Sequence, residues 1–211
     1  MFDDFCRSLK DRLLGPVARA LGPRLPPDAI TWLAFAAGLL CAGAVLNGDL
    51  RAALGLWLLN RLLDGLDGTH ARVHARVSDF GAYLDIVLDF IVYAAIPIAF
   101  VLAARQYELA LAGVFLLASF YVNAASWMYL SALLEARREG AASRGETTSA
   151  TMPPGIIAGT ETIVFYVLFF LMPARLATLF TLMAILVLAN VAMRLYWANR
   201  RLRLDPPSAH H

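Results

Sequence analysis

The stretch DGLDGTHARVHARVSDFGAYLDIVLD, residues 64–89, determines where this chain turns and where its charged groups gather. Two pairs of aspartates stand at its ends, at spacings of three and four: Asp64 with Asp67, and Asp85 with Asp89. Residues at these spacings share one face of a helix. Only residues 73–78 remain for the connection, so the stretch predicts a tight helical hairpin. At 1.5 Å per residue both pairs lie roughly 10 Å from the turn, and we expect the four carboxylates to converge.

The sequence around this hairpin is that of a membrane protein. Of the 211 residues 60% are hydrophobic and only 16% are charged. A net charge of +2 is too small for a nucleic-acid binder, which needs a basic surface. A spanning helix takes about 20 mainly apolar residues. The fold class predicted is an all-α membrane protein with six transmembrane helices, over residues 29–46, 50–72, 79–104, 108–136, 155–172 and 174–201.

The ends of the chain have their own patterns. Residues 1–25 mix charged and apolar side chains, which predicts an amphipathic helix lying in the membrane interface. We expect a single membrane domain over residues 1–205, and residues 206–211 look like a linker and tag remnant. Arginines concentrate before the first span and after the sixth, so the positive-inside rule predicts that both termini are cytoplasmic. The carboxylate site then faces the cytoplasm.

Four converging carboxylates in a membrane protein need counter-ions. Such groups either take up protons or bind cations, because an unpaired charge is costly in a low dielectric. Ligand sets made only of oxygens favour hard ions such as Mg²⁺, Mn²⁺ or Ca²⁺, and a pair of such ions suits phosphoryl transfer. Gly65, Gly68 and Gly81 leave room for a ligand near the backbone, and Arg72 is placed to contact phosphate oxygens.

The residues also form a recognisable signature, D-x-x-D-G-x-x-A-R, then eight residues, then G-x-x-x-D-x-x-x-D. It is matched at every fixed position by Asp64, Asp67, Gly68, Ala71, Arg72, Gly81, Asp85 and Asp89. This resembles the signature of the CDP-alcohol phosphotransferases. The entry to the first span, with Pro27 and Thr31, is also similar to that family. An Asn commonly follows this proline in the family, and here the position is Asp28, a departure that bears on contacts to cytidine but not on the chemistry.

The resemblance implies roles for individual residues. Asp64, Asp67 and Asp85 would hold the metal ions, Mg²⁺ or Mn²⁺, and Asp89 would join them and act as general base on the acceptor hydroxyl. Nucleotide and diphosphate contacts would come from Gly68, Ala71, Arg72, Gly81 and Thr31. The reaction implied is transfer of a phosphatidyl group from a CDP-alcohol, most simply CDP-diacylglycerol, to an acceptor alcohol with release of CMP. Homodimers in a bacterial inner membrane are expected on the same ground.

The acceptor side is less determined by the sequence. Glu161, near the start of the fifth span, suggests contact with an amine or a sugar hydroxyl, although a helix N-terminus also favours a carboxylate. Arg137 and Arg138 offer charge for an acceptor phosphate, but they also suit anchoring at the membrane surface. His70 and His74 are four apart and either ligate a metal or lie solvated at the helix end.

Two other functions remain open at this point. A prenyltransferase of the UbiA type also binds a metal diphosphate through paired aspartates, but its bundle is larger than six spans. A divalent-cation transporter would need acidic residues along further helices, and the first and sixth spans have none in their interiors. Metal-dependent CMP release distinguishes the transferase from both.

Overall fold

The computed structural model describes residues 13–137 and 159–204, and nearly all of them are helical. Residues 13–21 form α1. A 3₁₀ turn at Pro173–Arg175 precedes the last helix. The remaining helices are α2 (Pro27–Leu46), α3 (Leu50–Val73), α4 (Asp79–Ala104), α5 (Tyr107–Ala136), α6 (Gly159–Leu171) and α7 (Leu176–Leu204).

Local capping explains where the helices of the hairpin begin. The Asp49 carboxylate accepts a hydrogen bond from the Ala52 amide at 3.0 Å and starts α3. The Ser78 hydroxyl oxygen accepts one from the Gly81 amide at 3.0 Å and starts α4. Between them residues 74–78 form the predicted turn, in which Ala75 takes a positive φ of 51°. The two halves of the aspartate signature are therefore on two helices joined by a short turn, and both helices pack against α2.

The described helices are those of an integral membrane protein. Four of them are long and apolar enough to cross a bilayer: Pro27–Leu46, Asp79–Ala104, Tyr107–Ala136 and the stretch Pro173–Arg203. α3 is also long enough, but its charged residues take it outside that group. The described part of α6 is a shorter apolar helix of 13 residues. The count of six spans thus stays a prediction.

The N-terminal helix is described only in part, because residues 1–12 lie outside the described residues. In α1, Leu14 and Ala18 pack toward Ile30 and Leu66, and this face belongs to a small buried cluster. Leu13 and Val17 are exposed on another face. A helix with one apolar face packed and another exposed is compatible with a position in the membrane interface, which stays a prediction.

Two compact units can be distinguished within the chain. The first contains α2, α3, α4 and most of α6, and its core includes Trp57 stacked on Tyr166 with ring centroids 4.6 Å apart. The second contains most of α5 and α7, where the Arg194 guanidinium donates to the Asn123 side-chain oxygen at 3.1 Å. All of the aspartates of the signature lie in the first unit, and the single-domain assignment stays a prediction.

A glycine allows α2 and α4 to approach closely. A Cβ atom built on Gly38 would lie 2.5 and 2.7 Å from the two methyl carbons of Val92. Val92 is fully buried and β-branched, so its side chain has little freedom to turn away. The side-chain amide of Asn60 on α3 lies 3.2 Å from the same point. Three helices of the first unit therefore meet where only glycine fits.

We expect Gly38→Ala to lower the free energy of unfolding by about 1–2 kcal/mol, because overpacking outweighs the roughly 1 kcal/mol gained from alanine's helix propensity. The measurement is the thermal unfolding midpoint of the detergent-solubilised protein. Gly43→Ala is the matched control in the same helix, since a Cβ there meets nothing within 4 Å, and it should not destabilise. Adding Val92→Ala should restore much of the loss. An unchanged midpoint for Gly38→Ala would contradict the close approach.

Candidate active site

Arg61 on α3 connects carboxylates from both helices of the hairpin. One guanidinium nitrogen, Nη2, donates to Asp89 Oδ1 at 2.6 Å, and Nη1 donates to Asp89 Oδ2 at 3.1 Å. Nη1 also lies 3.7 Å from Asp64 Oδ2. Since one guanidinium reaches both side chains, Asp64 and Asp89 lie at the same level of the hairpin. Their side chains are 24% and 27% exposed, so the group is partly open to solvent.

The other two aspartates of the signature lie about one turn closer to the hairpin connection. Asp67 is buried, with 6% of its surface exposed, and its Oδ1 accepts a hydrogen bond from the Gly68 amide. Asp85 is partly buried on α4, one turn before Asp89. Counted at about 1.5 Å per residue, Asp67 and Asp85 are each six residues, roughly 9 Å, from the helix ends that face the turn. The hairpin therefore sets both pairs at matching depths.

Carboxylate oxygens match the preferences of a hard divalent cation, so the chemistry of this group fits Mg²⁺ or Mn²⁺. Within residues 13–137 and 159–204, however, no three His, Cys, Asp or Glu side chains are grouped closely enough to hold a metal ion. In this arrangement both oxygens of Asp89 are directed to the Arg61 guanidinium. An ion bound by Asp64 and Asp89 would have to compete with that cation.

The residues predicted to contact the nucleotide lie around the turn-facing end of the same hairpin. Arg72 is exposed, and its Nη2 donates to the Thr69 hydroxyl at 3.3 Å. A Cβ added at Gly68 would lie 3.3 Å from Arg72 Nη1, and Ala71 is partly buried beside them. The Thr31 hydroxyl is buried and donates to the Pro27 carbonyl oxygen at 3.3 Å, within α2.

Asp28 brings a further carboxylate to this end of the hairpin. Its Oδ1 is 3.3 Å from the place that a Cβ on Gly81 would take, and the Ser78 hydroxyl oxygen is 3.0 Å from it. A larger residue at position 81 would therefore press on the start of α2. The position where this chain departs from the family pattern thus lies next to a glycine of the signature.

His70 and His74 have a role that spacing alone did not indicate. His70 Nε2 lies 2.9 Å from the Leu25 carbonyl oxygen, and His74 Nε2 lies 3.1 Å from that of Ala18. The two rings contact one another at 4.5 Å between centroids. Because each ring uses Nε2 to hold the N-terminal segment, the pair fastens α1 and the following loop to the end of α3.

The predicted acceptor residues are described only in part. Glu161 is partly buried in the first turn of α6, and Arg137 follows the end of α5. Arg138 lies outside the described residues. A cavity of about 780 Å³ opens at the far end of α4, lined by Leu46, Leu102 and Arg105 among others. It contains none of the predicted site residues.

Comparison with known proteins identifies the family. The sequence pattern of the CDP-alcohol phosphatidyltransferases matches residues 24–200, a range that includes the whole aspartate hairpin. The chain belongs to this family. The CDP-alcohol phosphatidyltransferase described here is 40% identical to the inner membrane protein YnjF of Escherichia coli over 155 residues, 74% of each chain. It is 38% identical over 85 residues to a bifunctional IPC transferase and DIPP synthase of Aquifex aeolicus, of which it covers only 19%.

Solved structures share the fold. The phosphatidylinositol phosphate synthase of Mycobacterium tuberculosis with CDP-DAG bound superposes with a TM-score of 0.68 at 25% identity, over 88% of this chain and 92% of that one. A structure of the same synthase with manganese and citrate has a TM-score of 0.68 at 23% identity, over 87% of each chain. Family membership makes this CDP-alcohol phosphatidyltransferase a membrane-bound enzyme of phospholipid biosynthesis, which transfers a phosphatidyl group from a CDP-alcohol.

Sequence reasoning missed Arg61, together with Asn60 and Tyr93, which contact it. A signal was present, since Arg61 lies three residues before Asp64 and therefore on the same face of α3. An arginine within a helix of a membrane protein is also costly without a partner. What the sequence could not supply was the partner on α4.

Proposed function

We propose that this enzyme transfers the phosphatidyl group of CDP-diacylglycerol to the hydroxyl of a small polar acceptor alcohol and releases CMP, with Mg²⁺ or Mn²⁺ held by the signature aspartates. The observation that carries the proposal is the meeting of Asp64 and Asp89, from facing helices, at one guanidinium. Two carboxylates and one guanidinium therefore lie at the same level of a hairpin that carries the complete family signature. The synthase structure with CDP-DAG bound supports the choice of donor.

The reaction requires few steps from the protein. Asp89, partly exposed, would accept the proton of the acceptor hydroxyl as its oxygen attacks phosphorus. A new bond forms between that oxygen and phosphorus, and the bond between phosphorus and the CMP oxygen breaks. Arg72 would contact the diphosphate, and Gly68, Ala71 and Gly81 would leave space for the cytidine. In our proposal two divalent ions are bound by Asp64, Asp67, Asp85 and Asp89. These ions would neutralise the diphosphate and orient the attacking oxygen.

The acceptor and the setting are further parts of the proposal. Glu161 favours serine, another amine or a neutral polyol, whereas Arg137 and Arg138 would favour an acceptor that carries phosphate. We also propose a homodimer in a bacterial inner membrane, with both termini and the carboxylate site on the cytoplasmic side. The likeness to an inner membrane protein supports that location.

The test is CMP release by the purified protein from CDP-diacylglycerol with Mg²⁺ or Mn²⁺, across a panel of acceptors. The panel comprises glycerol 3-phosphate, inositol phosphate, inositol, serine, ethanolamine and choline. We expect release that depends on the metal and on one acceptor, and that stops when the acceptor is left out. Release from no combination, by protein shown to be folded, would contradict the proposed donor, and binding of CDP would then show whether a nucleotide site exists at all.

A further inference from the structure

Arg61 is held on every side of its guanidinium. Nε donates to the Asn60 side-chain oxygen at 2.7 Å, and Nη1 donates to the Tyr93 hydroxyl at 2.9 Å as well as to Asp89. Nη2 donates to Asp89 at 2.6 Å. Only 8% of the side chain is exposed. A planar fork bonded to both carboxylate oxygens fixes the orientation of its partner as well as neutralising it.

The side chains that surround Arg61 are themselves held in place by other contacts. Its guanidinium carbon lies 4.8 Å from the ring centroid of Trp57 and 5.0 Å from that of Tyr93. Tyr166 stacks on Trp57 and donates its hydroxyl proton to the Tyr93 carbonyl oxygen at 2.5 Å. Asn60 donates to the Ala34 carbonyl oxygen of α2 at 2.7 Å. The faces of these rings contact the guanidinium, and the rings are themselves held by stacking and hydrogen bonds. Together these contacts restrict the Arg61 side chain to one orientation.

We propose that Arg61 is a positioning residue of the transferase site, a built-in cation that orients the Asp89 carboxylate and whose positive charge opposes the binding of a divalent ion by the neighbouring aspartates. This inference rests on the proposed function. It follows from charge and geometry together: one positive charge already lies among the signature carboxylates, and it takes up both oxygens of the proposed base. The arginine thus lowers the affinity of the site for metal while it raises the fraction of Asp89 in a productive orientation.

Substitution of Arg61 should change metal affinity and turnover in opposite directions. Loss of a purely structural ion pair would change them in the same direction. Removing the guanidinium leaves the carboxylates more negative, so a divalent cation should bind more tightly. The same change releases Asp89 from its fixed orientation, so turnover should fall even with metal bound. A residue that only stabilised the fold would, when removed, weaken metal binding and turnover together.

The experiment compares Arg61→Met and Arg61→Lys in the full-length protein in detergent. Met keeps the apolar contacts with Trp57 and Tyr93 but has no charge, and Lys keeps the charge but lacks the fork. Binding of Mn²⁺ is measured from the electron paramagnetic resonance signal of the free ion, without any substrate. Turnover is measured as CMP release, and thermal unfolding reports the fold. Arg51→Met and Arg51→Lys are the matched controls, since Arg51 is exposed in the first turn of the same helix.

For Arg61→Met we expect the dissociation constant of Mn²⁺ to fall about fivefold or more, the direction that follows from losing a nearby positive charge. Its kcat should fall about tenfold or more, with KM for CDP-diacylglycerol changed less than about threefold, because orientation and not binding is lost. Arg61→Lys should bind Mn²⁺ within about twofold of the original protein and still show the loss of kcat. Neither Arg51 variant should change either quantity.

Three results would overturn the proposal. The first is unchanged or weaker Mn²⁺ binding by folded Arg61→Met, the second is full recovery of kcat in Arg61→Lys, and the third is no Mn²⁺ binding by any form of the protein. If Arg61→Met does not fold, Arg61→Gln takes its place with the same expected results. Failure of the proposed function is a different observation, namely no CMP release by the original protein, and the Mn²⁺ measurements are still decisive in that case.

Discussion

Asp89→Asn should reduce CMP release by about 10³-fold or more, since a general base alone contributes 10²- to 10⁴-fold in typical enzymes. The amide has nearly the same shape as the carboxylate but cannot accept the proton of the acceptor hydroxyl. It also offers only one oxygen to Arg61, which now donates to both oxygens of Asp89. Replacing one carboxylate oxygen by an amide nitrogen therefore removes both the proposed base and its orientation by Arg61.

Asp79→Asn is the matched control for this substitution. Asp79 is exposed in the first turn of the same helix, so its replacement should leave the rate within about twofold. Both variants are assayed at saturating acceptor and CDP-diacylglycerol, after thermal unfolding has shown that they are folded. If Asp89→Asn keeps more than about a tenth of the original rate, Asp89 is not the base of the proposed mechanism.

Chelation of divalent ions should stop CMP release almost completely, by about 10³-fold or more, since the charge on the diphosphate would no longer be neutralised. EDTA is added to the purified enzyme, and Mn²⁺ or Mg²⁺ in excess should then restore the rate. EDTA saturated beforehand with the divalent ion that supports activity is the control and should have no effect. A rate in EDTA above about one hundredth of the original would contradict metal dependence.

The fold should survive the same treatment. Arg61 already provides a cation for Asp64 and Asp89, so these carboxylates are not left unpaired when metal is removed. We expect the circular dichroism spectrum to be the same with and without EDTA. Unfolding on chelation would show instead that metal is needed for the structure of the hairpin.

Much of the helical arrangement could be predicted from the sequence because its signals are local. α4 begins and ends where it was predicted, at Asp79 and Ala104, since Ser78 caps its start and apolar residues fill its length. α3 also agrees closely with the prediction, ending at Val73 just before the turn. The start of the fifth span is different, because residues 155–158 lie outside the described residues and α6 is described from Gly159.

The candidate site could also be predicted only in part from the sequence. The spacing of the aspartates predicted two faces of one hairpin, and the shared contact of Asp64 and Asp89 with Arg61 agrees with that arrangement. The direction of the Arg61 side chain was not predictable, because it depends on Tyr93 from α4 and on Trp57, which is itself stacked on Tyr166 from α6. Likewise, no spacing indicates that His70 would reach the Leu25 carbonyl oxygen.

By itself the sequence determined the membrane character, the hairpin and the family signature, because hydrophobic length, helical spacing and capping act between residues close in the chain. Only the tertiary structure decided which cation the carboxylates meet, where α2 must be glycine to admit Val92, and what the two histidines hold. These contacts join helices far apart in sequence. They depend on how each helix is rotated and how near it approaches its neighbours, and the packing of the whole unit sets both.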